Sequence, residues 1–178
     1  MQVQVDYQSK QSAKNVIVKA MQSANPDLVQ ASCEFDCVVA AKNIRKELKK
    51  AFPAIKFSVK CNSYSGGNSI NIYYIDGFAK AEIESIVKKY QYGRFNSMDD
   101  IYEYNDEYWN CAFGGTKYLF VNREYSDEFI VNVLAELKLK CNTIDGEVIP
   151  SMEDYRNGKC WNSAWNRIIN LALTDKSV

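Results

Sequence analysis

The chain has 178 residues, with 22 basic and 22 acidic side chains and no histidine. A formal net charge of zero is not typical of dedicated nucleic-acid-binding domains, which are usually basic. The lack of histidine excludes every catalytic system that uses an imidazole, including Ser-His and Cys-His nucleophiles. The length suits a single domain, which we expect to span residues 1–178.

The N-terminal segment predicts a short strand over Met1–Tyr7, where Val3 and Val5 alternate with polar residues, and then a helix over Gln8–Ser23. The first residues lack the charged and apolar regions of a signal peptide, and no apolar run approaches the length of a membrane span. We therefore expect a cytoplasmic protein with no membrane association.

The six cysteines are expected to be reduced thiols, as is usual in the cytoplasm. Cys37 and Cys61 lie on predicted apolar faces, where a thiol behaves as a small hydrophobic group. The chain has no C-x-x-C pair, so we expect no metal site. It also has no G-x-x-x-x-G-K-[ST] or G-x-G-x-x-G phosphate loop, so we expect no cofactor.

The central segment predicts a helix, a hairpin and a second helix. Apolar residues recur every three or four positions over 36–52, Asp36 suits the N-cap, and Pro53 ends the helix. Alternating strands follow over Ile55–Cys61 and Ser69–Ile75, and a helix follows from Ala79 to about Tyr90. This order predicts an α+β fold: a helix-hairpin-helix (αββα) core with a small antiparallel sheet, helices on one face, and extra N- and C-terminal helices.

The hairpin predicts two different faces. Ile70, Ile72 and Tyr74 alternate with Asn71, Tyr73 and Ile75, so the first three are expected to face the core. The turn between the strands contains Gly66 and Gly67, which allow positive φ without steric cost.

Three runs of this segment resemble a known family. They are I-R-K-E-L-K-K-A-F-P-x-I-K-F-S-V-K, the turn Y-S-G-G-N-S-I, and a helix ending V-K-K-Y-Q-Y-G-R-F. Together with F-G-G-T-K-Y-L-F-V-N-R at Phe113–Arg123, they resemble a large polyvalent protein-associated domain of phages and conjugative elements. The resemblance covers about residues 33–123 and leaves 124–178 as a C-terminal helical extension. It implies a protein of a mobile element that works inside a bacterial cell, and it implies no catalytic residues.

Residues 91–115 form a long stretch rich in Tyr, Asp, Asn and Gly, part of which we expect to pair as a hairpin or an edge strand. A strand is predicted over Lys117–Asn122, and a helix capped by Ser126 follows. A final helix is predicted over Tyr155–Leu173. It would place Trp161 and Trp165 on one face, either packed on the domain or serving as a dimer or partner anchor.

Charge is unevenly distributed along the chain. Seven basic residues and one acidic residue lie between Lys42 and Lys60, whereas five acidic residues and no basic one lie between Met98 and Asn110.

The acidic residues Asp99, Asp100 and Glu103 are the nearest approach to a metal-binding carboxylate cluster. Cys33 is the one candidate for a cysteine nucleophile. Neither constitutes a catalytic motif, so we expect a protein that is not an enzyme.

The hypothesis that follows is a non-enzymatic protein-binding module of a mobile genetic element. It would inhibit a host defence system of the restriction or CRISPR type by occupying a host protein, for example a defence nuclease complex, as a monomer or dimer. The candidate partner-binding residues are Tyr64, Ser65, Gly66, Gly67, Asn68, Asp99, Asp100, Tyr102, Tyr104, Asp106, Glu107, Tyr108 and Trp109.

The alternative is a nucleic-acid-binding protein that uses a basic helix and hairpin face. Its candidate residues are Lys42, Lys46, Lys49, Lys50, Lys56, Lys60 and Tyr73.

Overall fold

A computed structural model describes residues 2–105, 108–141, 143–144 and 146–176 of the protein, with side chains from Gln11 onward. In these ranges the helices are α1 (Gln2–Ala24), α2 (Cys37–Ala51), α3 (Lys80–Val87), α4 (Trp109–Phe113), α5 (Asp127–Lys140), α6 (Met152–Arg156) and α7 (Ala164–Asp175). The strands are β1 (Ser58–Tyr64), β2 (Gly67–Ile75), β3 (Gly93–Asn96), β4 (Ile101–Tyr104), β5 (Tyr118–Glu124), β6 (Thr143–Ile144) and β7 (Glu147–Val148). A 3-10 turn over Lys88–Tyr90 follows α3.

The chain divides into two compact units. Unit 1 comprises Met1–Tyr73 and Ile83–Asn122, and unit 2 comprises Tyr74–Glu82 and Arg123–Val178. The single domain expected over residues 1–178 stays a prediction.

A three-stranded sheet in the order β1-β2-β5 organises unit 1. β1 and β2 form an antiparallel hairpin in which Lys60 pairs with Asn71 and Ser58 pairs with Tyr73. Helix α2 covers the inner face of this hairpin, and its N-cap is Asp36, whose carboxylate accepts the N–H of Val39 at 2.9 Å. The core of the unit collects the apolar residues of these elements, namely Ala40, Ala41, Ile44, Leu48, Val59, Ile70, Ile72, Ile83, Val87, Tyr90, Phe113 and Val121.

The second antiparallel hairpin of unit 1 is formed by β3 and β4, with Phe95 paired to Tyr102. An isolated parallel bridge between Gln91 and Thr116 connects the start of this segment to its end. The expectation that part of residues 91–115 pairs as a hairpin is therefore confirmed.

Unit 2 is built around helices α5 and α7. Ser126 caps α5 by accepting the N–H of Phe129 at 3.1 Å, as its position predicts. Seven buried residues make the core of this unit, namely Phe129, Ile130, Val133, Leu134, Trp165, Ile169 and Leu173.

The α+β class is confirmed, as are the predicted faces of β2, on which Ile70, Ile72 and Tyr74 are buried. The helix-hairpin-helix core is not confirmed as a self-contained unit, because β2 is the central strand of a three-stranded sheet. None of the described helices is long and apolar enough to cross a membrane.

Two predictions of secondary structure are wrong. Residues 2–7 belong to α1 rather than to a strand; the two alternating valines are separated by glutamine, a good helix former. The predicted helix over Tyr155–Leu173 is two helices, because the chain turns over 157–163, where Gly158 has a φ of 72°. As a result Trp165 is buried, whereas Trp161 is 73% exposed and does not share its packing surface.

The expectation of six reduced cysteines is also wrong. Cys37 at the start of α2 and Cys61 on β1 are joined by a disulfide with an S–S distance of 2.09 Å. The apolar faces predicted for these two residues meet each other, which brings the two sulfurs into bonding distance. Cys33, Cys111, Cys141 and Cys160 are free thiols.

Candidate functional site

The turn between β1 and β2 is fixed by its glycines. Tyr64 pairs with Gly67, so Ser65 and Gly66 form the exposed tip of the hairpin. Gly67 has a φ of 141°, and a Cβ there would lie 2.7 Å from Cδ of Lys117. A glycine at this position therefore lets the Lys117 side chain lie directly against the turn.

Asn68 connects this turn to two other segments. Its side chain is buried, and its Oδ1 accepts the backbone N–H of Lys117 at 2.7 Å and the hydroxyl of Tyr92 at 3.4 Å. Its Nδ2 donates to the carbonyl of Phe35 at 3.1 Å. A buried amide that satisfies three partners holds their segments in one arrangement.

Lys117 lies at the centre of the surrounding rings. Its Nζ donates to the carbonyl of Gly66 at 2.9 Å and lies 5.2 Å from the ring centroid of Tyr102 and 5.6 Å from that of Tyr118. The hydroxyl of Tyr102 in turn donates to the Lys117 carbonyl at 2.6 Å. The hairpin turn and β4, which are separate segments in the sequence, are thus brought together by one lysine.

We call the surface formed by Phe35, Tyr64, Tyr102 and Tyr104 around Lys117 the aromatic surface. Tyr92 lies beneath it, with ring centroids 5.0 Å from Phe35, 5.9 Å from Tyr104 and 6.2 Å from Tyr102. Tyr104 is 64% exposed and Tyr64 is 49% exposed. The surface therefore offers large apolar rings to solvent on a base that packing and hydrogen bonds hold in place.

Burial makes two phenols of this site weaker acids than an ordinary tyrosine. It raises the pKa of Tyr92 to about 12, and it raises the pKa of Tyr102 well above the usual value for tyrosine. Both hydroxyls stay protonated at neutral pH, so they act as hydrogen-bond donors and not as bases.

The acidic candidates are dispersed around the β3-β4 hairpin. Asp99 and Asp100 lie exposed in the turn, where Asp99 accepts a hydrogen bond from Asn96 at 2.9 Å. Glu103 lies on β4 and is paired with Arg94 at 2.9 Å. Hydrogen bonds from Asn96 and Arg94 lower the pKa of Glu103. Asp106 and Glu107 lie outside the described residues.

These carboxylates do not form a metal site in the described part of the chain, where no group of three or more potential ligands occurs. Asp99 and Glu103 do not lie on one face of a helix, because Glu103 lies in strand β4.

Two further candidates are aromatic residues in the segment that follows β4. Tyr108 and Trp109 are partly buried at the start of α4. The Trp109 ring lies 4.7 Å from Phe113 and 5.8 Å from Tyr90, with Lys89 Nζ 4.1 Å above it. These distances show that Trp109 packs against the core of unit 1.

The basic candidates do not form one face. Lys42, Lys46, Lys49 and Lys50 are exposed on α2, which packs on the inner side of the hairpin. Lys60 and Tyr73 lie on the outer side, with Lys60 Nζ 5.6 Å from the Tyr73 ring centroid. The sheet separates the two groups. Lys56 is exposed before β1 begins.

Sequence reasoning missed Phe35, Tyr92 and Lys117 as parts of the site. Tyr92 had a signal, since it lies in the aromatic-rich stretch of residues 91–115. No pattern in the sequence indicates Lys117, because its role depends on contacts with Gly66 and Asn68, about 50 residues earlier in the chain.

The comparison with protein families agrees with the resemblance. The model of the family Large polyvalent protein associated domain 29 matches residues 35–126, which is more than half of the chain, and the chain therefore belongs to this family. The match contains the whole aromatic surface. Comparisons with curated proteins and with solved structures found no match.

Proposed function

We propose that the chain is a non-enzymatic binding module of a mobile genetic element and that it docks a host protein on the aromatic surface. The observation that carries this proposal is the convergence of the Tyr64–Asn68 turn with Tyr102 and Tyr104 around Lys117. The family to which the chain belongs supports a module associated with polyvalent proteins.

The composition of the surface favours a protein partner. Tyrosine supplies a large contact area with few rotatable bonds, and it is enriched in the residues that dominate binding energy at protein interfaces. Exposed Tyr64 and Tyr104 flank a buried hydrogen-bond network, so docking would order few additional side chains. Low ordering cost is a property of pre-organised interfaces.

The partner we propose is a component of a host defence system, such as a nuclease complex. Mobile elements that enter a bacterium are exposed to such systems, and a module that is not an enzyme would act on them by occupying a surface. Asp99 and Asp100 at the nearby hairpin tip would complement a basic groove on that partner.

The test begins with affinity capture from a host-cell lysate, with and without nuclease treatment. A captured protein that resists nuclease is then purified, and its affinity is measured by calorimetry for the wild type and for the Tyr64→Ala/Tyr104→Ala double variant. We expect a loss of affinity of at least about tenfold, because central tyrosines are common hot spots.

Trp161→Ala is the matched control, since it removes an exposed aromatic residue of unit 2. The proposal fails if the double variant binds the partner as tightly as the wild type. Hydrolysis of DNA or RNA by the pure protein with a divalent metal would contradict its non-enzymatic part.

A further inference from the structure

The outer face of the three-stranded sheet is a second surface with a composition of its own. The alternation of β1 and β2 and their pairing direct Ser58, Lys60, Asn71 and Tyr73 to this side. On β5, Val121 is buried and Phe120 is exposed, so Tyr118 and Phe120 belong to the same outer side. We call these six residues the sheet face; none of them belongs to the aromatic surface.

Flat rings are accessible on two neighbouring strands of the sheet face. Phe120 is 49% exposed and Tyr73 is 36% exposed. Tyr118 stacks on Phe120, with ring centroids 6.3 Å apart and ring planes 18° from parallel. Rings that stand on a sheet in this way offer stacking platforms for unpaired bases.

The charge of the sheet face suits an anionic partner. Among these six residues Lys60 carries the charge, and the others are Ser, Asn, Tyr and Phe. The same alternation places one exposed carboxylate, Glu124 at the end of β5, on this side of the strand. Lys117, just before β5, also lies near Tyr118, but it donates to Gly66 in the aromatic surface and is not counted in the sheet face. Uncharged amides and hydroxyls can donate hydrogen bonds to phosphates or base edges, and no carboxylate among these six residues would repel the backbone.

We infer that the sheet face binds single-stranded nucleic acid, with bases stacked on Tyr73, Tyr118 and Phe120 and phosphates near Lys60. A duplex does not fit this chemistry, because its bases are already stacked within the helix and cannot reach the rings. The lysines of α2 lie across the sheet from this face and take no part in it.

The test measures fluorescence anisotropy of a labelled single strand of about 15 nucleotides, as oligo(dT) and as oligo(U), with the full chain at about 50 mM salt. We expect saturable binding that weakens as salt rises. Tyr73→Leu and Phe120→Leu should each weaken it by about fivefold or more, because leucine keeps apolar bulk but offers no ring for stacking. Lys60→Ala should lower the slope of log K against log salt by about 1.

Phe95→Leu is the matched control, because Phe95 is as exposed as Phe120 but lies on the β3-β4 hairpin. Equal thermal unfolding midpoints of the leucine variants and the wild type separate lost stacking from lost folding. The inference is overturned if neither strand binds at low salt, if a duplex of the same length binds equally well, or if Phe95→Leu has the same effect as Phe120→Leu. A protein partner that is lost with Phe120→Leu, without any oligonucleotide binding, would likewise overturn it.

The outcome is independent of the protein-docking proposal. Tyr64→Ala/Tyr104→Ala should leave oligonucleotide binding unchanged, while Tyr73→Leu and Phe120→Leu should leave capture of a nuclease-resistant protein partner unchanged.

Discussion

The buried amide of Asn68 accepts the backbone N–H of Lys117 at 2.7 Å and thereby ties the first hairpin turn to the segment that enters β5. The same amide donates to the Phe35 carbonyl just before α2. The Asn68 side chain thus joins three segments that are more than 30 residues apart in the sequence. The position of Lys117 among the exposed rings depends on these hydrogen bonds.

Asn68→Ala should therefore lower the free energy of unfolding by about 2 kcal/mol, because the backbone N–H of Lys117 loses its acceptor and the Phe35 carbonyl keeps only the N–H of Cys37 as a donor. Urea denaturation followed by fluorescence measures this loss. Asn62→Ala, at an exposed position of β1, is the control. It should change the free energy of unfolding by less than about 0.5 kcal/mol. Equal effects of the two substitutions would mean that the network around Asn68 contributes nothing.

Much of the fold of unit 1 could be predicted from local patterns. The period of 36–52, the N-cap Asp36 and the alternation of Ile70 and Ile72 each act over a few residues, so they can be read from the sequence. The exposed turn at Ser65–Gly66 could be predicted for the same reason, since two consecutive glycines indicate a tight hairpin.

The features that could not be predicted depend on contacts between distant segments. Tyr102 and Lys117 meet only because β4 and the start of β5 lie side by side, and no local period encodes that proximity. The break before α7 is a different case, because the helical period continues across it. The pattern alone placed Trp161 with Trp165, although the positive φ of Gly158 separates them.

The disulfide between Cys37 and Cys61 closes a loop with a sequence separation of 24 residues. A bridge of this span restricts the unfolded chain and stabilises the folded state by about 3 kcal/mol. Dithiothreitol should therefore lower the urea midpoint of the wild type and leave that of a Cys37→Ala/Cys61→Ala variant unchanged. A wild type whose midpoint does not respond to the reductant would contradict the pairing.

Thiol counting checks the same bridge directly. Denatured under non-reducing conditions, the chain should expose four titratable thiols, corresponding to Cys33, Cys111, Cys141 and Cys160. After reduction the count should rise to the full six cysteines. Six thiols before reduction would exclude the disulfide.

Arg123 holds together two segments of unit 2. Its guanidinium donates to the carbonyls of Asp76 at 3.1 Å and Gly77 at 2.8 Å, and also to those of Leu173 at 3.1 Å and Lys176 at 2.7 Å. A cation at the end of α7 also suits the negative pole of the helix dipole.

Arg123→Ala should destabilise the end of α7, because several carbonyls lose a charged donor; we expect a cost of about 3 kcal/mol. Hydrogen exchange followed by mass spectrometry should show faster exchange in peptides covering residues 164–176. Arg123→Lys, which keeps the charge but not the planar fork, should give a smaller effect. Unchanged exchange in Arg123→Ala would mean that these bonds do not stabilise the helix.

Tyr92 gives the protein a dependence on alkaline pH that has a defined sign. Burial raises the pKa of its phenol from 10.0 to about 12, so the folded state holds the proton more tightly than the unfolded state. The stabilisation is complete below pH 10 and is lost as pH rises from about 10 to about 12.

The Tyr92→Phe variant lacks this titrating proton. Its urea midpoint should therefore fall less than that of the wild type between pH 9 and pH 11, values chosen about one unit either side of the unperturbed tyrosine pKa. The other ionisable groups are the same in the two proteins. The difference between their decreases in urea midpoint therefore reports the contribution of the Tyr92 hydroxyl. Equal falls would show that the Tyr92 hydroxyl has the same pKa in the folded and unfolded states, and that the rings above it do not shield it from water.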